Sequence, residues 1–157
     1  MTEPFSKTFH ARWGDMDFNA HMGNTAYLDA CVDVRLMFFQ EHGFPVRELE
    51  RLRIGPVVLR DELDYFRELR LLDPVKITLR LAGLSADASR FRLRNEFFRE
   101  DGALAARVST LGGWLDLTKR KLTVPPEELA AALRLLQRTE DFQELPASAP
   151  PGDKSPG

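Results

Sequence analysis

The sequence predicts an α+β domain in which a curved antiparallel sheet of about five strands wraps round one long central helix, with a short C-terminal helix. The first observation is a segment with apolar residues at helical spacing, residues 25–42. The second is a series of segments between residues 57 and 117 in which apolar and polar residues alternate, as in antiparallel strands with one buried face. The third is that helices and strands do not alternate along the chain, which argues against a parallel sheet of βαβ units.

The N-terminal half supplies the first strand and the long helix. Residues Phe5–Trp13 alternate loosely and predict a strand. The helix is predicted over Thr25–His42, with Asn24 as its N-cap because an amide oxygen can accept a hydrogen bond from the first turn. Gly43 is the predicted C-cap. Apolar residues occupy most of the helix circumference, so we expect the helix to be enclosed.

The second half supplies the rest of the sheet. A short helical turn is predicted over Val46–Leu52. The predicted strands are Val57–Leu69, Val75–Ala82, Arg90–Arg99 and Ala103–Leu117. Asp101-Gly102 predicts a tight hairpin between the last two. A helix follows from Pro125 to about Arg138, because proline suits a first helical turn. We expect one domain over residues 1–142 and a disordered tail over 143–157, which is rich in proline and serine.

Composition excludes several classes of function. The chain has 22 basic and 24 acidic residues and a net charge of -2, so it has no basic field that would attract nucleic acid or an anionic membrane. No apolar run approaches the roughly 18 residues needed to span a bilayer. The single cysteine, Cys31, excludes an internal disulfide. The first residues, Met1–Pro4, lack the features of a signal peptide, so we expect a cytoplasmic protein.

Most of the candidate functional residues lie in the loop Arg12–Asn24. Acids, a histidine and small turn residues lead directly into the N-terminus of the long helix. Unpaired backbone N–H groups and the positive end of the helix dipole favour negative charge there, so a carbonyl oxygen that gains charge can be held at this point. The other histidines, His10 and His42, have no spacing that suggests a metal site, so we predict no metal and no cofactor.

This loop resembles the signature of the hot-dog-fold acyl-CoA thioesterases of the 4-hydroxybenzoyl-CoA thioesterase type, D-x-D-x-x-G-H-V-N-N-x-x-Y. The matching residues are Asp15, Asp17, His21, Asn24 and Tyr27, with Arg35 further along the helix. The sequence departs from the signature at Ala20, where the family usually has glycine, and at Gly23, where it usually has asparagine; Met22 for valine is a milder change.

The resemblance covers roughly residues 5–138 and implies the hot-dog fold. It also implies hydrolysis of a fatty or aromatic acyl-CoA to the free acid and coenzyme A. The carrier can be coenzyme A or acyl carrier protein. In that family two subunits pair edge to edge with the active site between them, so we expect a homodimer or homotetramer.

A thiol with a pKa of about 8.5 leaves as the thiolate without much help from an acid. Thioester hydrolysis therefore requires mainly an activated nucleophile and stabilisation of the tetrahedral oxyanion. The resemblance implies that Asp17 is the nucleophile or general base; the alternative is that it is a loop aspartate that caps the turn or the helix. His21 positions the thioester or the acid, or is simply satisfied by loop backbone. The backbone N–H of Asn24, or of a residue on either side, is the predicted oxyanion donor.

Two further residues are candidates for substrate binding. Tyr27 lies in the first helical turn, where it contacts substrate or packs in the core. Asp61 shares a strand phase with apolar Leu59 and Leu63, which directs it inward toward a substrate channel unless a twist or bulge turns it to water.

Two alternatives remain open. The hydratase branch of the same fold carries a motif resembling G-D-x-N-P-x-H; Gly14 and Asp15 match its start, whereas Asp17 and Ala20 stand at its Asn and His positions. A non-catalytic hot-dog protein that binds an acyl thioester, or acts as a scaffold, is the second alternative, and it is favoured by the departures at Ala20 and Gly23.

Overall fold

The computed structural model describes residues 3–147, which form seven strands and three helices in one sheet-and-helix unit. The strands are β1 (Phe5–His10), β2 (Ile54–Tyr65), β3 (Pro74–Ser85), β4 (Arg90–Arg99), β5 (Leu104–Asp116), β6 (Lys121–Thr123) and β7 (Arg138–Leu145). The helices are α1 (Asn24–Glu41), α2 (Val46–Leu52) and α3 (Glu127–Arg134). The main sheet has the order β1-β3-β4-β5-β2 with all neighbours antiparallel, while β6 pairs with β5. The predicted fold class is confirmed.

Helix α1 packs one face against the sheet. Tyr27, Cys31, Val34 and Phe38 recur at steps of three and four residues and are all buried. The opposite face, which includes Val32, is exposed, so the expectation of a helix enclosed on all sides is wrong for the single chain. None of the helices within residues 3–147 has the length and hydropathy needed to cross a membrane.

The ends of α1 differ slightly from the prediction. Gly23, in extended conformation, is the N-cap and Asn24 is the first helical residue, so the predicted Asn24 cap is wrong. Among residues 3–147 no side chain caps this end of the helix by a hydrogen bond. At the C-terminus Gly43 has φ +91°, just past the cap, and the N–H of Phe44 donates to the carbonyl of Phe39 at 2.8 Å.

Strand β7 was not predicted from the sequence. It runs parallel to β3 and pairs with it beyond the end of β1. Its sequence is mainly charged and polar, so it lacks the apolar alternation that predicts a strand. Gly83 of β3 allows the close approach, since a Cβ there would lie 3.0 Å from the carbonyl oxygen of Gln143. The strand continues past the predicted domain end at residue 142 into the predicted tail, residues 143–157, and the part of that tail from residue 148 onward lies outside the described residues.

Candidate active site

The loop before α1 is closed by hydrogen bonds between its two arms. The carboxylate of Asp15 accepts the backbone N–H of Arg12 at 2.9 Å and so caps a short 3-10 turn. The carbonyl of Asp15 accepts the N–H of Gly23 at 2.9 Å. Met16 and Met22 form an antiparallel bridge. Residues 17–21 are therefore held as a compact tip beside the start of the helix.

Asp17 is fixed within this tip. Its N–H donates to the carbonyl of His21 at 2.9 Å, and its side-chain Oδ1 accepts the N–H of Asn19 at 2.8 Å. Its carbonyl accepts the N–H of Ala20 at 3.1 Å. Ala20 has φ +65°, so the chain makes the left-handed turn there although the usual glycine is absent.

The N-terminus of α1 supplies free donors next to Asp17. The N–H of Gly23 is used by the loop, whereas within residues 3–147 the N–H groups of Asn24 and Thr25 have no hydrogen-bond acceptor. A Cβ at Gly23 would lie only 3.2 Å from the Cβ of Asp17. The missing side chain therefore lets Asp17 lie directly against the helix start.

His21 lies between two carboxylates. Its Nδ1 is 3.9 Å from Oδ1 of Asp17, and its Nε2 is 3.7 Å from Oε1 of Glu68. The imidazole is about one-third exposed and Glu68 is more open to solvent. Glu68 was not anticipated from the sequence, because it follows β2 and approaches the loop only in the folded chain.

Tyr27 is buried beneath the site. Its ring is 2% exposed and makes edge contacts with Tyr65 and Phe97 at centroid distances of 5.4 and 5.1 Å. Burial, with smaller contributions from Tyr65 and Asp17, raises the pKa of Tyr27 to about 12. The hydroxyl therefore stays protonated and can act only as a neutral donor or acceptor.

Asp61 belongs to a different cluster. A bulge in β2 lies just before it, and its Oδ1 accepts the hydroxyl of Thr110. Arg35 donates to the same hydroxyl at 2.6 Å and to Oδ1 of Asn95 at 3.2 Å. Burial lowers the pKa of Arg35, which is only 9% exposed. Within residues 3–147 no hydrogen bond or ion pair joins Asp61 to Asp17 or His21.

Two aromatic side chains of the loop are exposed. Trp13 is 81% exposed and Phe18, adjacent to Asp17, is fully exposed. A cleft of roughly 410 Å³ lies between β1 and α1, and apolar residues such as Met22, Ala26 and Ile77 line it together with Asp15, Asp29 and Asp33. The loop thus contributes to a cleft of mixed apolar and acidic lining.

Comparison with known proteins identifies the family. The sequence model of the thioesterase-like superfamily matches residues 11–133. None of the curated protein sequences compared with the chain matches it.

Solved structures share the fold. A protein from Staphylococcus aureus, solved in complex with CoA, has a TM-score of 0.78 at 26% identity over 87% of each chain. A 1,4-dihydroxy-2-naphthoyl-CoA thioesterase from Synechocystis has a TM-score of 0.75 at 18% identity, covering 85% of this chain and 98% of its own. A gentisyl-coenzyme A thioesterase has a TM-score of 0.73 at 21% identity, covering 82% and 98%. The family match spans most of the chain and agrees with the hot-dog architecture, so this protein belongs to the thioesterase-like superfamily.

Proposed function

We propose that this protein is an acyl-CoA thioesterase that hydrolyses an acyl-CoA to the free acid and coenzyme A. One observation carries the proposal: the carboxylate residue Asp17 lies against a helix N-terminus whose N–H groups at Asn24 and Thr25 are unpaired. Adding water to a thioester carbonyl requires at least a base that accepts the proton of water and hydrogen-bond donors that stabilise the oxyanion.

In the general-base route Asp17 accepts a proton from water while the water oxygen forms a bond to the thioester carbon. The carbonyl oxygen becomes an oxyanion, which the N–H groups of Asn24 and Thr25 stabilise. One such donor is typically worth about 2.7 to 4 kcal/mol of transition-state stabilisation. Collapse of the intermediate breaks the carbon–sulfur bond, and the thiolate leaves and takes up the proton from Asp17 or solvent.

In the alternative route Asp17 attacks the carbonyl carbon directly. The thiolate leaves, and the resulting mixed anhydride is then cleaved by water. Single-turnover hydrolysis in heavy-oxygen water tests for the second route, because label found in Asp17 can come only from the anhydride. Label enters the product acid directly in the first route, whereas attack of water on the Asp17 carbonyl in the second leaves label in Asp17.

The substrate class is inferred from the surroundings of the site and from similar proteins. Neighbours include a protein solved with CoA and thioesterases named for aromatic acyl-CoA substrates, which supports a CoA thioester as substrate. Phe18, next to Asp17 in the chain, and Trp13 in the same loop present exposed apolar surface, which suits an apolar acyl group. Coenzyme A is therefore the proposed carrier, and aromatic and fatty acyl groups are the first to test.

The decisive experiment measures thiol release from short, medium, long and aromatic acyl-CoA thioesters by the wild type and by Asp17→Asn. We expect turnover by the wild type and a loss of about a hundredfold or more in the variant. If neither protein hydrolyses a thioester but both bind one, the protein is a non-catalytic acyl-thioester-binding protein. Equal activity in both would assign the reaction to another acid. Hydrolysis only of acyl carrier protein thioesters would reject coenzyme A as the carrier.

A further inference from the structure

We infer that Glu68 is a positioning residue that orients the imidazole of His21 and sets its tautomer, with the proton on Nε2. Glu68 acts through His21 and has no direct role in attack on the substrate. The kinetic consequences rest on the proposed thioesterase function, whereas the tautomer itself does not. Three features support this role. Backbone hydrogen bonds anchor the chain around Glu68, Oε1 of Glu68 is free to accept a proton donor within residues 3–147, and a gap of 3.9 Å separates Nδ1 of His21 from Oδ1 of Asp17.

Backbone hydrogen bonds on either side of Glu68 hold it near His21. Leu69 is fully buried, and its carbonyl accepts the N–H of Met22 at 2.8 Å. Met22 directly follows His21, so this bond joins the segment after β2 to the loop before α1. On the other side, the N–H groups of Phe66 and Arg67 both donate to the carbonyl of Ala105 in β5, at 2.8 and 3.0 Å. Glu68 is therefore placed by bonds on both sides of it along the chain.

The two carboxylates that face His21 are not equivalent. Oδ1 of Asp17 already accepts the N–H of Asn19 at 2.8 Å. Oε1 of Glu68 has no closer donor within residues 3–147 than the imidazole at 3.7 Å, since Arg70 approaches the other oxygen at 3.9 Å. The negative charge of Glu68 is thus the less satisfied of the two, and it favours the proton on Nε2 of His21.

With the proton on Nε2, the lone pair of Nδ1 faces Asp17. The gap of 3.9 Å between Nδ1 and Oδ1 of Asp17 accommodates a water that makes hydrogen bonds of about 2.8 Å to both atoms. That water then donates both protons, one to Nδ1 and one to Asp17, and a lone pair of its oxygen is free to attack a carbonyl carbon. Glu68 thereby prepares the water without touching it.

The tautomer is measured directly by nitrogen-15 NMR of the three histidine side chains. His42 provides an internal reference, because its Nδ1 lies 2.8 Å from the carbonyl oxygen of Phe38 and must carry the proton to make that bond. A His21→Gln variant assigns the His21 signals. We expect the Nε2–H tautomer for His21 in the wild type and loss of that preference in Glu68→Gln. An Nδ1–H tautomer in the wild type, or unchanged His21 signals in Glu68→Gln, would overturn the inference.

Kinetics supply the second test. We expect Glu68→Gln to lower kcat by roughly tenfold with little change in KM, as is typical when a residue that orients a reactive group is removed. In a His21→Ala background the same substitution should have no further effect, because its partner is gone. An equal loss in both backgrounds would show that Glu68 does not act through His21.

The control is Glu127→Gln. Glu127 is an exposed α3 residue outside the β2 edge, and it also lies near an arginine, Arg134, at 2.9 Å. We expect this variant to retain wild-type kcat. If the wild type hydrolyses no thioester, the proposed function fails, and the NMR measurement alone decides the role of Glu68.

Discussion

At the scale of single residues, Ala20 occupies a backbone conformation that favours glycine. An L residue in the left-handed region brings its Cβ close to the following carbonyl, at a cost of about 1 to 2 kcal/mol. Ala20 has φ +65° and an exposed side chain that makes no compensating core contact. The turn is nevertheless retained, because hydrogen bonds on both sides of it, from Asp17 to His21 and from Ala20 to Asp17, determine the path of the backbone.

We therefore expect Ala20→Gly to stabilise the protein. Removing the strain outweighs the greater freedom that glycine gives the unfolded chain, and the net gain in the free energy of unfolding should be about 0.5 to 1 kcal/mol. Urea unfolding monitored by tryptophan fluorescence measures it. The matched control is Ala86→Gly, because Ala86 is also exposed in a turn but does not have a positive φ. That variant should be destabilised, and a loss of stability in Ala20→Gly as well would contradict the argument.

The sequence pattern predicts the loop part of the candidate site but not the position of Glu68. Asp17, His21 and Asn24 share one short loop, so their proximity is implied by spacing alone. Glu68 follows β2, and it lies near His21 only because the carbonyl of Leu69 accepts the N–H of Met22 in the loop. No local pattern encodes such a contact.

At the scale of elements, β7 is a strand held by side chains as well as by its ladder with β3. Arg94 of β4 forms a bidentate ion pair with Asp141, at 2.9 and 3.0 Å. The guanidinium of Arg138 lies 4.2 Å from the ring centroid of Phe142. These contacts explain why a charged, polar sequence forms a strand there. The alternation of apolar and polar residues predicted the four long strands but not β7, because the contacts that stabilise β7 come from strands distant in sequence.

The Arg94–Asp141 pair should make stability depend on pH. Hydrogen bonds from Arg94 hold the pKa of Asp141 well below its usual range. A depressed pKa means that the pair stabilises the fold fully above the unfolded-state pKa of about 3.9, and that this contribution is lost as pH falls through the folded-state value. We expect Asp141→Asn to lower the free energy of unfolding at pH 7 by about 0.5 to 1 kcal/mol, the upper range for exposed pairs.

Urea unfolding of both proteins at a series of pH values tests this prediction. The difference between wild type and Asp141→Asn should shrink progressively below about pH 4. Glu144→Gln is the control, because Glu144 is an exposed acid on the same strand that makes no ion pair within residues 3–147. A difference between wild type and Asp141→Asn that stays constant from pH 7 to pH 3 would show that the loss is not electrostatic.

At the scale of the whole molecule, β2 leaves one long edge of the sheet open. It is 12 residues long and pairs only with β5 within the described chain. Val58, Leu59 and Tyr65 are each about half exposed along it, and Phe66 continues the apolar surface. An open edge with apolar side chains is a template for another strand, and soluble proteins usually cover or charge such edges.

We expect a second copy of this chain to cover the β2 edge in solution, because this edge combines unpaired backbone groups with exposed apolar side chains. Sedimentation equilibrium should then show a dimer, or a tetramer built from dimers, at micromolar concentration. Val58→Lys should shift the protein toward monomer, because each copy would place a charge in an apolar contact. It should also lower thioesterase activity if the site is completed between subunits.

Val124→Lys is the matched control for this experiment. Val124 lies between β6 and α3 and is 53% exposed, against 51% for Val58, so both substitutions remove the same side chain from a similar environment. We expect Val124→Lys to leave the oligomeric state unchanged, because Val124 follows β6, which pairs with β5 on the side opposite β2. A monomeric wild type would reject the dimer. Dissociation by both variants would indicate a general effect of added charge, and dissociation by Val124→Lys alone would place the interface elsewhere.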